Sequence, residues 1–235
     1  MAPGTSSSAS LEECQSFFES LGQDPAILIK AIAGGGGRGI REVRDVDEIP
    51  SAYERCCSEA LRSFGNDAVY VERVIDHARH IEIQVVGDGA GSVIHLGERE
   101  CSLQRRRQKL IEFTPCPGLS EGLRERLAEA AVGMASAVKY RNLGTFEFLV
   151  DARTIDRDDG AFVFIEANPR LQVEHTVTEE VTGIDLVRLQ LDISAGLSFE
   201  ELGLQQSDVN KPRGHAIQVR INMECMKADG MAEPA

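Results

Sequence analysis

The stretch Phe162-Val163-Phe164-Ile165-Glu166-Ala167-Asn168-Pro169-Arg170-Leu171-Gln172-Val173-Glu174-His175 decides how this chain is read. Val163 and Ile165 alternate with Phe162, Phe164 and then Glu166, which is the period of a strand. Pro169 cannot donate to a ladder, so the segment should leave the sheet after Asn168 and bend. Glu166 and Asn168 fall on one face of that strand, and their oxygens suit a hard cation such as Mg²⁺, an ion usually shared with substrate phosphates. Arg170 offers a fork for a carboxylate, bicarbonate or phosphate oxygen pair. An edge strand running into a solvated loop explains a lone E-x-N. It does not explain the whole run.

Upstream, Gly144 to Val150 reads as a strand, separated from Ala161–Ile165 by the charged loop 151–160. Glu147 lies on it with phenylalanines on the opposite face, and a carboxylate turned into a buried strand needs a partner. That partner is either a structural cation or a metal shared with Glu166 on the neighbouring strand. Downstream, one helix is expected from about Val177 to Ala195 and a last strand from Gly214 to Ile221. The last strand sets Gln218 and Arg220 on one face and Ile217, Val219 and Ile221 on the other. Met223 to Ala235 reads as a polar tail with no covering element.

Toward the N-terminus, a helix is expected over Leu11–Leu21. The apolar run Ala26–Ile29 then leads through Lys30 to Gly34-Gly35-Gly36-Gly37-Arg38-Gly39 and the short stretch Ile40–Val43, the pattern of a hairpin. The glycines allow backbone N–H groups to approach an anion, or they are simply a flexible tip. The loop fits neither the P-loop nor the dinucleotide fingerprint, because no helix follows it. Lys30 is a snorkelling surface lysine or, beside this loop, a phosphate contact.

Asp45 or Asp47 can cap a helix with one apolar stripe from Ile49 to Phe64, stopped by Gly65. Ala68–Ile75 and His80–Val86 read as strands, the latter with strict alternation, and a glycine turn leads to a strand at Ser92–Leu96. Glu72 to Ile75 could present backbone groups to an adenine. From Glu98 to Lys109 the sequence packs five cations into eleven positions after Glu98. This is a solvated turn, a docking patch or, in an acidic chain, the meeting place of an anionic ligand. Glu121–Tyr140 reads as an amphipathic helix with Leu123, Leu127, Ala131, Met134 and Val138 inward. Hairpins with flanking helices, rather than alternating βαβ units, argue for an α+β fold in two lobes.

A chain of 235 residues can bury a sizeable core. Its 42% apolar and 27% charged content is ordinary for a globular protein. A net charge of −13 argues against nucleic acid as a partner. No apolar run approaches the roughly 20 residues that cross a bilayer, so no membrane span is expected. The first ten residues lack the basic and apolar regions of a secretory signal. The six cysteines form no C-x-x-C pair, and the five histidines show no ligand spacing. Reduced thiols and a cytoplasmic location are the expectation.

Taken together, IKAIAGGGGRGIR, VYVERVI, RHIEIQVVGDGAGSVIHLGERECSLQRRRQK, GTFEFLV, FVFIEANPRLQVEHTVTEEVTGIDLV and RGHAIQVRIN resemble the biotin carboxylase component of biotin-dependent carboxylases, a branch of the ATP-grasp superfamily. The segments run from Pro3 to about Asn222, and the ending RINME looks closer to acyl-CoA carboxylases than to pyruvate carboxylases. The resemblance implies an ATP-grasp lid over residues 1–75. It implies a second lobe with the start of the C-terminal domain over residues 76–235, the flanking parts of the family's chain being absent.

It further implies that Lys30 contacts the ATP phosphates and that Gly34, Gly35, Gly36, Gly37 and Gly39 close over them. Glu72 and Ile75 would meet adenine, with His80 and Gln104 near the ribose and base. Lys109 would lie by the transferred phosphoryl group, and Glu147, Glu166 and Asn168 would hold Mg²⁺ or Mn²⁺. Arg170, Gln172 and Val173 would bind bicarbonate, Glu174 would be the general base, and Arg220 would steady the ureido oxygen of biotin, the carboxyl acceptor. Partners implied are a biotinylated carrier and a carboxyltransferase.

Two positions depart from the family pattern. Arg107 stands where His is usual and Arg73 where Lys is frequent, which alters local donor geometry. Other readings are an ATP-grasp ligase of the carbamoyl-phosphate synthase type and a non-catalytic ATP-binding fragment.

Overall fold

A computed structural model of the chain describes residues 2–34, 39–105, 108–227 and 232–234. Gly35, Gly36, Gly37, Arg38 and Arg107, singled out in the sequence, lie outside the described residues. The chain divides into two compact units, Met1–His77 and Ala78–Ala235.

The first unit holds helix α1 (Leu11–Ser20), strands β1 (Ile27–Ala31) and β2 (Ile40–Val43), helix α2 (Ile49–Phe64) and strand β3 (Val69–Arg73). Ser10 and Glu13 form a reciprocal capping box that starts α1. The strands make an antiparallel sheet in the order β2-β1-β3, so β1 is the middle strand. Its buried residues Ile27 and Ile29 pack with Val69, Val71, Ile49 and Cys56 of the neighbouring elements. Asp45 caps a short 3₁₀ turn over Val46–Glu48, after which Pro50 in the first turn admits α2. Gly39 has φ +65°, and a Cβ there would lie 2.8 Å from the Ala31 Cβ. Only glycine closes the hairpin onto β1 at that point.

The second unit is built on a six-stranded antiparallel sheet. Its strands are β4 (Ala78–Asp88), β5 (Val93–Arg105), β6 (Gln108–Thr114), β7 (Arg141–Asp151), β8 (Phe162–Asn168) and β9 (Ala216–Val219), in the order β8-β7-β4-β5-β6-β9. Helix α3 (Glu121–Ala137) lies between β6 and β7 in sequence. Its Leu123, Leu127 and Ala131 join Ile81, Ile83 and Phe148 in the core on one face of the sheet. Helices α4 (His175–Thr182) and α5 (Leu186–Ser194) follow β8, and α5 packs Leu186, Leu189 and Ile193 with Val86 and Leu143.

Four expectations are corrected here. The single helix of 177–195 is two, because Gly183 at φ +77° ends α4 and the Asp185 side chain caps α5 by accepting from the Arg188 N–H. Val138 is not inward: it is the C-cap of α3 and 69% exposed. The charged stretch from Glu98 to Lys109 is largely strand, with β5 running to Arg105 and β6 opening at Gln108. The end is not bare tail, since β10 (Glu224–Met226) pairs antiparallel with β11 (Ala232–Pro234). No helix among the described residues is long and apolar enough to cross a membrane.

Candidate functional site

Strand register assembles the site. Across the middle of the second unit's sheet, Arg99 on β5 stands opposite Glu82 on β4, and Glu82 opposite Glu147 on β7. Glu147 in turn stands opposite Glu166 on β8. One cation and three carboxylates therefore form a transverse row. Like charges directly opposite each other in a sheet repel, and Glu82 and Glu147 are both buried, so the row demands counter-charges.

Arg99 supplies the first. It is fully buried. Its Nε donates to Glu82 Oε1, and its remaining nitrogens donate to Gln84 Oε1 (2.8 Å), Thr178 Oγ1 on α4 (3.0 Å) and Thr145 Oγ1 (3.1 Å). Lys109 supplies the second. Its Nζ lies 2.5 Å from Glu82 Oε2, 3.0 Å from Glu147 Oε1 and 2.7 Å from Glu174 Oε1. Burial works against the Lys109 ammonium, but the surrounding carboxylates, Glu82 foremost, hold its pKa above the ordinary lysine value. Burial likewise works against the Glu82 carboxylate, and Arg99 and Lys109 outweigh it, lowering its pKa.

Glu174 is the N-cap residue of α4 and is fully buried. Its Oε1 accepts from Lys109, and its Oε2 accepts from the Arg220 terminal nitrogen at 2.8 Å. Arg220 follows β9, its own N–H donates to the Leu110 carbonyl at 2.8 Å, and its Nε donates to Glu112 Oε1 at 2.6 Å.

Beside the row, His80 Nε2 lies 2.7 Å from Glu147 Oε2, and Gln104 Nε2 lies 2.8 Å from His80 Nδ1. Burial pushes the Glu147 carboxyl up, but His80 and Lys109 together overrule it and bring the pKa from 4.5 down to about 2. A depressed folded-state pKa contributes stability that is present above the unfolded value near 4.5 and is lost as pH falls toward the folded value. Urea unfolding should therefore show stability declining between pH 5 and pH 3, and Glu147→Gln should flatten that decline. An unchanged slope in the variant would show that Glu147 is not the group responsible.

Of the residues picked out in the sequence, the sheet gathers His80, Gln104, Lys109, Glu147, Glu166, Asn168, Gln172, Glu174 and Arg220. Asn168 Nδ2 stands 2.9 Å from Glu147 Oε1 and 3.0 Å from Glu166 Oε1. Two carboxylates thus converge on one point and an amide oxygen is within a side-chain flip of it, a donor set that fits a hard cation such as Mg²⁺. Gln172 is buried, with its Oε1 accepting from Arg170 at 2.9 Å, while Arg170 and Val173 are exposed.

In the first unit, Lys30 Nζ is 2.8 Å from Glu72 Oε2 and lies over the Tyr70 ring. Gly34 donates to the Ala31 carbonyl, Gly39 donates to Glu59, and Ile75 is half-buried.

The sequence reading missed Glu82, Arg99 and Glu112. Arg99 was counted with a basic cluster, yet Arg99 and Lys109 are internal counter-ions and Arg105 pairs with Glu224. The strict alternation of β4 hid that both its faces are buried. Glu82 and Gln84 at alternate positions were the signal: buried polar positions need partners across the sheet. The histidines lacked ligand spacing along the chain, and the sheet nevertheless gathers His80, Glu82 and Glu147 closely enough to share one ion. The Lys109 ammonium contacts both glutamates of that group.

The family model for the carbamoyl-phosphate synthase L chain, ATP binding domain, matches residues 1–202. The chain is 50% identical over 213 residues to pyruvate carboxylase of Aspergillus niger, covering 91% of this chain and 17% of that protein. It thus spans about a sixth of that relative's length. Among solved structures, biotin carboxylase of Campylobacter jejuni in its β,γ-ATP complex superposes with TM-score 0.87 at 42% identity, over 97% of this chain and 48% of that one. The biotin carboxylase domain of Hydrogenobacter thermophilus 2-oxoglutarate carboxylase, in complex with MgADP, ADP and bicarbonate, gives TM-score 0.85 at 41% identity, over 95% and 47%. The fold, the family match and these likenesses agree, and the chain belongs to the carbamoyl-phosphate synthase L chain ATP-binding domain family, as a biotin carboxylase-type ATP-grasp domain.

Proposed function

We propose that this chain handles the nucleotide and the bicarbonate of a biotin-dependent carboxylase, activating bicarbonate with ATP as carboxyphosphate for transfer to biotin. Glu174 carries the reading. Both oxygens of this buried carboxylate are held by cations from separate parts of the chain, Lys109 on β6 and Arg220 just after β9, so its direction is set before substrate arrives. Glu174 takes the proton of bicarbonate, whose oxygen attacks the γ-phosphorus of ATP while ADP leaves.

Arg170, steered by buried Gln172, holds the bicarbonate together with Gln172 and Val173, and Lys109 neutralises charge on the transferring phosphoryl group. Glu147, Glu166 and Asn168 would hold Mg²⁺, which would supply further neutralisation of phosphate charge when bound. Arg220, with 29% of its side chain exposed, is the cation available to a ureido oxygen. His80 and Gln104 form a linked pair suited to ribose and base. In the first unit the resemblance assigns Lys30 and the glycine loop to the phosphates and Glu72 and Ile75 to adenine. A biotinylated carrier and a carboxyltransferase are the partners of such a domain.

The acyl-CoA acceptor expected from RINME gives way to pyruvate as the better-supported acceptor, since pyruvate carboxylases are prominent among the relatives. The family model's description also covers carbamoyl-phosphate synthases. Ammonia-dependent formation of carbamoyl phosphate would favour that second reading.

The test is phosphate release from ATP by this chain with Mg²⁺, with and without bicarbonate and free biotin. Bicarbonate-dependent release, raised by biotin, is expected. Its absence from folded protein would overturn the reading. Glu166→Gln should raise the Mg²⁺ needed for half-maximal release by roughly 100-fold, a large effect for a metal site. Unaltered Mg²⁺ dependence would remove Glu166 from the metal site.

A further inference from the structure

Glu112 lies on β6, opposite Gln218 of β9, and its side chain is fully buried. Among the described residues only Oε1 is engaged, by Arg220 Nε at 2.6 Å, while Oε2 is buried and has no hydrogen-bond partner among them. Arginine and a carboxylate ordinarily close a fork in which both oxygens accept. Here the fork is open, because the terminal nitrogen of Arg220 goes to Glu174 Oε2 at 2.8 Å instead. An unmade hydrogen bond on a buried oxygen is unfavourable, and selection for stability alone would close the fork. What the open fork achieves is direction. Glu112 grips the guanidinium by its inner nitrogen, the Leu110 carbonyl fixes the Arg220 backbone, and the outer edge is left facing Glu174.

We infer that Glu112 is a positioning residue, which holds Arg220 by Nε so that its terminal nitrogens are presented to Glu174 and to the acceptor substrate. The inference rests on the biotin carboxylation reading for the identity of that acceptor, but the grip itself is a property of the three side chains. The groups facing Glu112 are Arg220, Glu174 and Lys109. Burial, with Glu174 adding to it, raises the Glu112 pKa against the pull of Arg220. The carboxyl is held there against its own solvation.

Glu112→Gln keeps the shape and an acceptor oxygen but removes the charge that grips Nε. Two readouts on the full chain test the inference. In bicarbonate-dependent phosphate release, Glu112→Gln should raise the KM for free biotin roughly tenfold, the scale of one charge-assisted hydrogen bond. The KM for ATP should move less than about twofold, and Glu112→Asp should restore part of the biotin KM. In ¹⁵N NMR, with the signal assigned by Arg220→Lys, the Arg220 Nε–H should exchange with solvent faster in Glu112→Gln while the Arg99 Nε–H does not change.

Equal rises in both KM values, or an unchanged Arg220 Nε–H exchange rate, would overturn the inference and leave Glu112 a packing residue. If the unaltered chain shows no bicarbonate-dependent release, the functional reading falls. The exchange measurement then decides the positioning role by itself.

Discussion

Lys109→Met is expected to lower the unfolding free energy by about 3–5 kcal/mol, the penalty for removing the partner of buried charges. One ammonium serves Glu82, Glu147 and Glu174, all buried. Arg99 still serves Glu82 and His80 still faces Glu147 in the variant, but the region between them is left with repelling carboxylates. Against a total stability of roughly 5–15 kcal/mol, that loss is large but leaves a folded protein to measure.

The sign of the pH dependence should also change. With the ammonium gone, burial of Glu82 is opposed by Arg99 alone, and its folded-state pKa is expected to rise above the unfolded value. The contribution of Glu82 is then fully present below the unfolded pKa and is lost as pH rises through the folded one. The variant should therefore grow more stable on going from pH 7.5 to pH 5, whereas Glu147 makes the unaltered chain less stable as pH falls below about 4.5. Urea denaturation followed by circular dichroism at the two pH values decides it. Equal stability of variant and parent at pH 7.5 would mean that Lys109 is not the counter-ion of this cluster. Lys109→Arg, which keeps the charge, should retain most of the stability.

Glu174→Gln is expected to reduce bicarbonate-dependent phosphate release by about 10²–10⁴-fold, the range ascribed to general acid–base groups. The fold should survive. Four buried carboxylates, Glu82, Glu112, Glu147 and Glu174, face three cations, Arg99, Lys109 and Arg220, so removing one negative charge brings the cluster closer to balance. The amide still accepts from Lys109. Nucleotide affinity, read by calorimetry, should change little, because Glu147, Glu166 and Asn168, the residues proposed to hold the metal, are untouched. Release within tenfold of the parent, in folded protein, would end the assignment of Glu174 as the base.

Much of this was legible along the chain because its signals are local. The alternation of Phe162–Ile165 and the proline at 169 place β8 and its end. The apolar stripe of 49–64 with Gly65 after it places α2. Glu147 and Glu166 were paired from their strand phases alone, and β7 and β8 are in the register that sets them opposite. The family resemblance rests on the same kind of local evidence, runs of residues whose types and spacing survive without any knowledge of the fold.

Helix continuity was the weaker inference. Apolar spacing runs through 177–195 with little break, and the left-handed backbone at Gly183 divides it.

By itself, then, the sequence determined which side chains with useful chemistry exist, which short elements carry them and which family pattern they match. Only the tertiary structure decided which charges neutralise which. Arg99 meets Glu82, Lys109 meets Glu82, Glu147 and Glu174, and Arg220 meets Glu112 and Glu174 across separations of 17 to 108 residues. A charged residue on a strand looks the same in sequence whether it faces water or a buried counter-ion. Strand order and register make that difference, because moving a pairing by one residue would turn the strand-borne members of this set to the other face of the sheet.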